Sequence, residues 1–354
     1  AVAAAARLGG DSADDAAFVR EPQAPTLAFA FLISAASNKV LLRLLLVPLG
    51  RYTHLLGVVT NLLYLVVFGL QCKFAAARGS AATKRSWRLS ADFVRPGGGG
   101  LQLLSGSGLC EAAAFVFMPL FASRLPGTLN VVTSQGLLFF SMIFSYLLLG
   151  RRFGALQVAG VAVVVVGVLM CTLPTLGVPA VGAYVPVSLW NVVGLFCSYG
   201  FIALGLSLKE VAFLRFREKV VEEGESLDTN VVNFTTAVFQ GLGLLVMWPL
   251  NFAFITPLSV GAYFEMAVRA MQQWAPLLGL YLMVNLGYTL VTTSVLKRLS
   301  ALTILLTNVL NVPLVSLFFC LNLPLLGAAP FRWSFVGGLV VIITGMLLYN
   351  HRSR

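Results

Sequence analysis

Three ionisable side chains stand inside stretches otherwise built of apolar residues. Lys39 and Arg43 fall in "SAASNKVLLRLLLVPLG" (34–50), and Glu111 falls in "SGLCEAAAFVFMPL". A charge at the centre of a membrane helix costs on the order of 3 kcal/mol on insertion scales, and pairing or water must offset it. Lys39 can attract a carboxylate. Glu111 can act as a counter-ion or a proton carrier. Amides and hydroxyls accompany them at helical spacing. Asn285, Tyr288, Thr289 and Thr292 have offsets of 0, 3, 4 and 7, which place them on one face. Thr303, Thr307, Asn308 and Asn311 form a second stripe, and Asn233, Thr236 and Gln240 a third. Asn130, Ser134 and Gln135 follow on another segment, and Asn61 with Tyr64 on one more. A single such residue commonly bonds one helix to its neighbour. Stripes on so many segments predict a shared wet cavity that hydrogen-bonds a polar solute.

Catalysis has little to build on. The histidines are His54 and His351, both near segment ends, and no GxSxG, HExxH or Walker pattern occurs. An enzyme is not expected, nor an ATP-driven pump; transport would draw on solute or proton gradients. The five cysteines (Cys72, Cys110, Cys171, Cys197 and Cys320) are isolated, without CxxC or Cys/His spacing, so neither metal nor cofactor is expected.

The elements that must hold these residues follow from composition. The 354 residues are 58% hydrophobic and 10% charged, with mean hydropathy +0.90. Soluble domains carry about 25% charged residues, so an all-α polytopic membrane protein in a lipid bilayer is expected. The net charge of +11 does not point to nucleic acid, because the basic residues are scattered through short loops rather than gathered on one face.

Apolar runs of about 20 residues mark membrane helices. They predict ten: 26–46, 54–76, 103–123, 127–149, 154–173, 186–208, 230–254, 276–296, 300–322 and 332–350. Pro313 should kink the ninth. Alternate connections then carry eighteen Lys and Arg on one side against four on the other, with Lys39 and Arg43 inside the first span. That bias predicts both termini on the cytosolic-type side. Arg43, near the end of its span, is expected to snorkel to the interface. Lys39 and Glu111 lie on helices running the same way, at depths differing by about 7 Å at ~1.5 Å per residue, within reach of each other's long side chains.

Residues 77–101 are basic, end in "PGGGG" and read as a flexible loop. Residues 209–229, "KEVAFLRFREKVVEEGESLD", read as a helical extension turning polar, the seam between halves. The stretch 263–276, with Phe264, Val268, Met271 and Trp274 near helical spacing, reads as an amphipathic helix on the membrane surface. The first residues, "AVAAAARLGG", lack Met, as in a processed or trimmed form. Asp11, Asp14, Asp15 and Glu21 argue against an intact transit peptide there.

An internal repeat is visible. Phe153, Gly160 and Gly167 in the fifth span match Phe331, Gly338 and Gly345 in the tenth, each set spaced seven and seven. The preceding spans match loosely, "LNVVTSQGLLFFSMIFS" against "LTILLTNVLNVPLVSLF". Two five-span repeats must insert with opposite orientation, the plan of secondary transporters with a site at the repeat interface. The expected divisions are a tail 1–25, a first repeat 26–173, a connection with the sixth helix 174–229, a second repeat 186–350 and a tail 351–354.

With these features the chain resembles the chloroquine-resistance-transporter-like family of the drug/metabolite transporter superfamily. The resemblance is carried by "SNKVLLRLLLVPLG", "LPGTLNVVTSQGLLFFSMIFSYLLLGRRF" (125–153), "KEVAF" with "LDTNVVNFTTAVFQ" (209–240) and "LTILLTNVLNVPL" (302–314), over roughly residues 26–350. It implies a ten-helix carrier with a central cavity and alternating access, in which Asn38-Lys39 lines the cavity and tunes what is carried. Together the stripes and the resemblance place Asn38, Lys39, Asn61, Glu111, Gln135, Asn233, Gln240, Asn285, Thr289, Asn308 and Asn311 at the substrate cavity. Plant and algal members imply a plastid envelope protein moving glutathione or γ-glutamylcysteine-type thiol peptides or amino acids. Parasite members imply a vacuolar, proton-coupled exporter of peptides and cationic drugs. The short connection between spans seven and eight, without cysteine, resembles the plant and algal type. A nucleotide-sugar or sugar-phosphate carrier of the same superfamily is the alternative, as is a receptor that binds without flux.

Overall fold

The computed structural model describes residues 24–176, 187–219, 226–254, 259–298, 304, 311–312, 314–315, 318–319, 321, 323, 325 and 333–350. Apolar runs away from water must satisfy their own backbone groups, and helices do so within one segment. The helices are α1 (Ala24–Leu49), α2 (Thr53–Arg78), α3 (Ala81–Val94), α4 (Leu101–Ala122), α5 (Gly127–Thr133), α6 (Gly136–Leu149) and α7 (Ala155–Thr172). They continue with α8 (Leu189–Lys219), α9 (Thr229–Val246), α10 (Trp248–Phe254), α11 (Val260–Gln273), α12 (Ala275–Arg298) and α13 (Trp333–Asn350). Among the described residues eight helices are long and apolar enough to cross a membrane, α5 and α6 counting together as Gly127–Leu149. Helix α13 holds a shorter apolar run, Val336–Tyr349. The protein is an all-helical polytopic membrane protein. Most of the expected ninth span lies outside the described residues, Thr303, Thr307 and Asn308 with it.

Local signals set the ends. Gly150, at φ 66°, closes α6 in the left-handed region that glycine enters without strain, and its N–H bonds Tyr146 O at 3.2 Å. Asp228 caps α9 by accepting from the Asn230 N–H at 2.7 Å.

Two segments differ from their sequence reading, and a third agrees with it. The basic stretch 77–101 is not a loop throughout: α3 occupies its middle, capped where Ser80 Oγ accepts from the Thr83 N–H at 3.2 Å. Its few apolar positions include Phe93, which packs edge-on against Phe216 at 5.3 Å. The fourth span is broken at Ser134–Gln135, where Gln135 N bonds Val132 O and Leu137 N bonds Ser134 O, both at 3.1 Å. These three-residue steps tighten the chain between α5 and α6. The amphipathic stretch 263–276 is helical as read: α11 covers it to Gln273, burying Tyr263 and Ala267 and leaving the apolar Phe264 and Val268 exposed. Tyr263 packs on Tyr52 and Phe252.

Helix α8 continues past its apolar stretch to Lys219, so the expected extension is helical over 209–219. Packing runs α4 on α8 and α9, α6 on α8, α2 on α9, α1 on α12, and α7 on α13. The last pair meets through the glycines of the repeat. A Cβ on Gly160 would lie 2.5 Å from Tyr349 N and 2.6 Å from Gly345 O. One on Gly167 would lie 2.9 Å from Gly338 O. Only hydrogen leaves room for backbones this close.

Candidate functional site: a charged cavity among the helices

A cavity of about 220 Å³ lies among α1, α2, α4, α5, α8, α9 and α12. Its size is on the small-solute scale, below the roughly 300–1,000 Å³ of drug-sized pockets. Most of its wall is apolar, but Lys39, Arg43, Glu111 and Lys209 all line it.

Lys39 meets Glu111's neighbourhood differently from the expectation. Glu111 pairs with Lys209, Nζ to Oε1 at 2.5 Å. Lys39 Nζ instead donates to Ser134 Oγ at 3.3 Å, beside the break in the fourth span. Lys209 was assigned to a polar connection because its apolar run ends there; it is 5% exposed. The next residue, Glu210, is also buried and pairs with Arg151 at 2.9 Å. Lys209 and Glu210 of "KEVAF" and Arg151 of "LGRRF" are therefore held in ion pairs with other segments. Sequence reasoning missed Lys209 and Glu210, although adjacent opposite charges ending a span were the available signal.

Arg43 is the second correction. It does not snorkel but is 2% exposed. Its Nη1 donates to Ala122 O at 3.2 Å and Ser123 O at 3.3 Å, the last carbonyls of α4. A helix C-terminus offers unsatisfied carbonyls and the negative end of its dipole, so a buried cation finds partners there.

The amides gather into linked groups. Asn285 Nδ2 donates to Asn38 Oδ1 at 3.0 Å and to Tyr281 OH at 3.3 Å. Tyr64 OH donates to Asn285 Oδ1 and lies 2.9 Å from Thr289 Oγ1. This group ties α1, α2 and α12 together. Asn61 Nδ2 donates to Gln240 Oε1 at 3.2 Å and Ala237 O at 3.0 Å, joining α2 to α9. Thr293 Oγ1 donates to Asn233 Oδ1 at 2.8 Å, joining α12 to α9.

Of the residues expected at the cavity, Asn38, Lys39, Glu111, Asn233, Gln240, Asn285 and Thr289 line it. Asn61 sits behind Gln240, to which it is bonded. Gln135 is buried at the break in the fourth span, not in the lining. Asn311 is buried and also outside the lining, its amide atoms without a partner among the described residues. Asn308 lies outside the described residues. His54, read as a span-end residue, is buried in the first turn of α2. Its Nε2 lies 3.1 Å from Leu244 O, and its ring stands edge-on to Trp248 at 4.8 Å.

An arrangement of apolar helices around a small charged cavity fits solute passage, and comparison of the sequence with known families decides which kind. The profile described as CRT-like, chloroquine-resistance transporter-like, matches residues 26–274. The chain belongs to this family. Among its relatives in the CRT-like family is "Protein CLT3, chloroplastic" of Arabidopsis thaliana, 29% identical over 326 residues, covering 88% of this chain and 69% of the relative. "Protein CLT2, chloroplastic" of the same plant is 28% identical over 333 residues, covering 89% and 73%. The "Chloroquine resistance transporter" of Toxoplasma gondii is 25% identical over 354 residues, covering 91% of this chain and 37% of its own length. The cavity is therefore the interior of a multi-pass membrane protein from a CRT-like transporter family. The lining residues of α1, α2, α4, α5, α8 and α9, which make up most of the wall, all fall within the matched region.

Proposed function

We propose that this protein is a gradient-driven carrier of small solutes working by alternating access, with glutathione- or γ-glutamylcysteine-type thiol peptides or amino acids as cargo. The observation that carries the reading is the buried cavity holding Lys39, Arg43 and a Glu111–Lys209 pair inside apolar helices. Charges at that depth persist where they serve a solute or ion path. Amides and hydroxyls of the Asn38–Asn285–Tyr64 group supply donors and acceptors for peptide bonds. Glu111 is the candidate proton carrier.

Alternating access needs two halves that rock about the site. Ten spans in two inverted repeats, 26–173 and 186–350, supply them. The glycine seam supports this. Gly160 corresponds in sequence to Gly338, and Gly167 to Gly345, yet Gly160 touches Gly345 and Gly167 touches Gly338. Each position meets the counterpart of the other, the pattern of a two-fold interface. The packing of α4 on α8 and of α12 on α1 also exchange with each other under such a symmetry. An even span count would leave both termini on one side, the excess of Lys and Arg in alternate connections favours the cytosolic-type side for them, and the chloroplastic relatives favour the plastid envelope.

Purified protein in liposomes should take up labelled glutathione, faster with an imposed pH gradient. Absence of uptake for every thiol peptide and amino acid tried would remove the cargo assignment. One observation favours a second reading: three cations line the cavity against one carboxylate, which suits phosphorylated cargo. Competition of glutathione uptake by a sugar phosphate or a nucleotide sugar separates the two.

A further inference from the structure

We propose that Arg43 is the carboxylate-binding residue of the cavity, receiving a carboxylate of the solute on the fork formed by its Nε and Nη2. The proposal rests on the carrier reading and narrows its cargo to solutes that bring a carboxylate to this end of the cavity. Arg43 lines the cavity while 2% exposed. Its Nη1 is engaged by Ala122 O and Ser123 O at the end of α4. Those bonds hold the guanidinium plane in place. Nε and Nη2 have no partner among the described residues. On a guanidinium these two N–H groups lie on one edge and point in parallel, matching the two oxygens of a carboxylate.

A purely structural role, closing the end of α4, uses only Nη1. It leaves two buried donors unanswered, which is costly in a water-poor interior. The one carboxylate among the lining residues does not answer them. Glu111 is held by Lys209. It also stands on α4 eleven residues before Ala122, about 16 Å away along the axis at ~1.5 Å per residue. The missing partner is then supplied by the solute.

The same spacing orients the cargo. With its carboxylate on Arg43, a solute extends toward the Glu111–Lys209 pair. An extended peptide rises roughly 3.3–3.6 Å per residue, so a tripeptide crosses most of that distance and a single amino acid does not.

The test compares glutathione with its diamide, in which both carboxylates are amidated, and with inorganic phosphate, by thermal stabilisation of the purified full chain and by uptake into liposomes. Wild-type protein should bind the acid about tenfold more tightly than the amide, the scale of a hydrogen bond to a charged group. Arg43→Lys keeps the charge and a donor for α4 but has no fork, and the acid-to-amide ratio should fall toward one. Arg43→Gln, whose amide still donates to the α4 carbonyls, replaces it if the lysine variant fails to fold. Equal binding of acid and amide by wild-type protein, or an unchanged ratio in the folded variant, overturns the proposal. So does stabilisation by phosphate but not by the acid. Acid-selective binding without uptake removes the carrier reading and leaves Arg43 assigned. Uptake without acid selectivity does the reverse.

Discussion

Lys209 on α8 reaches Glu111 on α4 at 2.5 Å, with the lysine almost fully enclosed and a quarter of the carboxylate side chain open, 24% exposed. Burying two charges together is tolerable, but leaving one alone is not. Glu111→Gln and Lys209→Gln should each lower stability by about 3 kcal/mol, measured as thermal melting in detergent. The double variant should recover most of that loss, since no lone charge remains. Additive losses in the double variant would show that the two side chains do not act as a pair.

The α7–α13 seam makes a sharp contrast between neighbouring glycines. Gly160→Ala drives a methyl group into the Tyr349 and Gly345 backbone, whereas Gly337 has no described atom within 4 Å of an added Cβ. Gly160→Ala should cost about 1–3 kcal/mol, the usual penalty of overpacking. Gly337→Ala should be neutral or slightly stabilising, because alanine is the better helix former. Melting curves of the two variants side by side check both signs.

Lys39 lines the cavity and bonds Ser134 at 3.3 Å. Replacing it with threonine keeps a hydrogen-bonding side chain and removes a positive charge. Lys39→Thr should shift uptake away from anionic and toward neutral or cationic solutes, by roughly an order of magnitude in relative rate. An uptake panel of peptides of equal size and different charge measures this, and an unchanged order would mean that the amine does not act on cargo.

Tyr64 joins Asn285 and Thr289 from across the bundle. Tyr64→Phe removes the hydroxyl but fills the same space, leaving the Asn285 carbonyl oxygen without this donor. A loss of about 1–2 kcal/mol in stability follows from one unmet buried group, together with slower uptake. Asn285→Ala, which removes the hub itself, should slow uptake further. Melting and initial uptake rates report the two effects separately.

Much of this was legible because a bilayer imposes one period and one length. Apolar runs located α1, α2, α4, α7, α8, α9 and α12, and the polar stripe Asn285–Tyr288–Thr289–Thr292 faces the cavity as its spacing required. What failed was the reading of charges near span ends. Hydropathy ends a span where Lys209 and Glu210 begin, but the partners that let them stay buried, Glu111 and Arg151, lie in other parts of the chain. Arg43 was misplaced for the same reason, since only the folded bundle brings the end of α4 beside it. Helix α3 went unseen because its apolar face is narrow and set among basic residues. The glycine pattern was found from spacing alone, but that its members cross-pair, first with second, is a fact of three dimensions.

The interruption at Ser134–Gln135 splits a membrane span into rods of 7 and 14 residues. The shorter is about 10 Å long at ~1.5 Å per residue, far less than a bilayer. Its anchorage therefore comes from its neighbours and from Lys39, which holds Ser134 at the joint. Lys39 thus faces the cavity and braces that joint at once, so a change at the cavity wall and the angle between the rods share one bond.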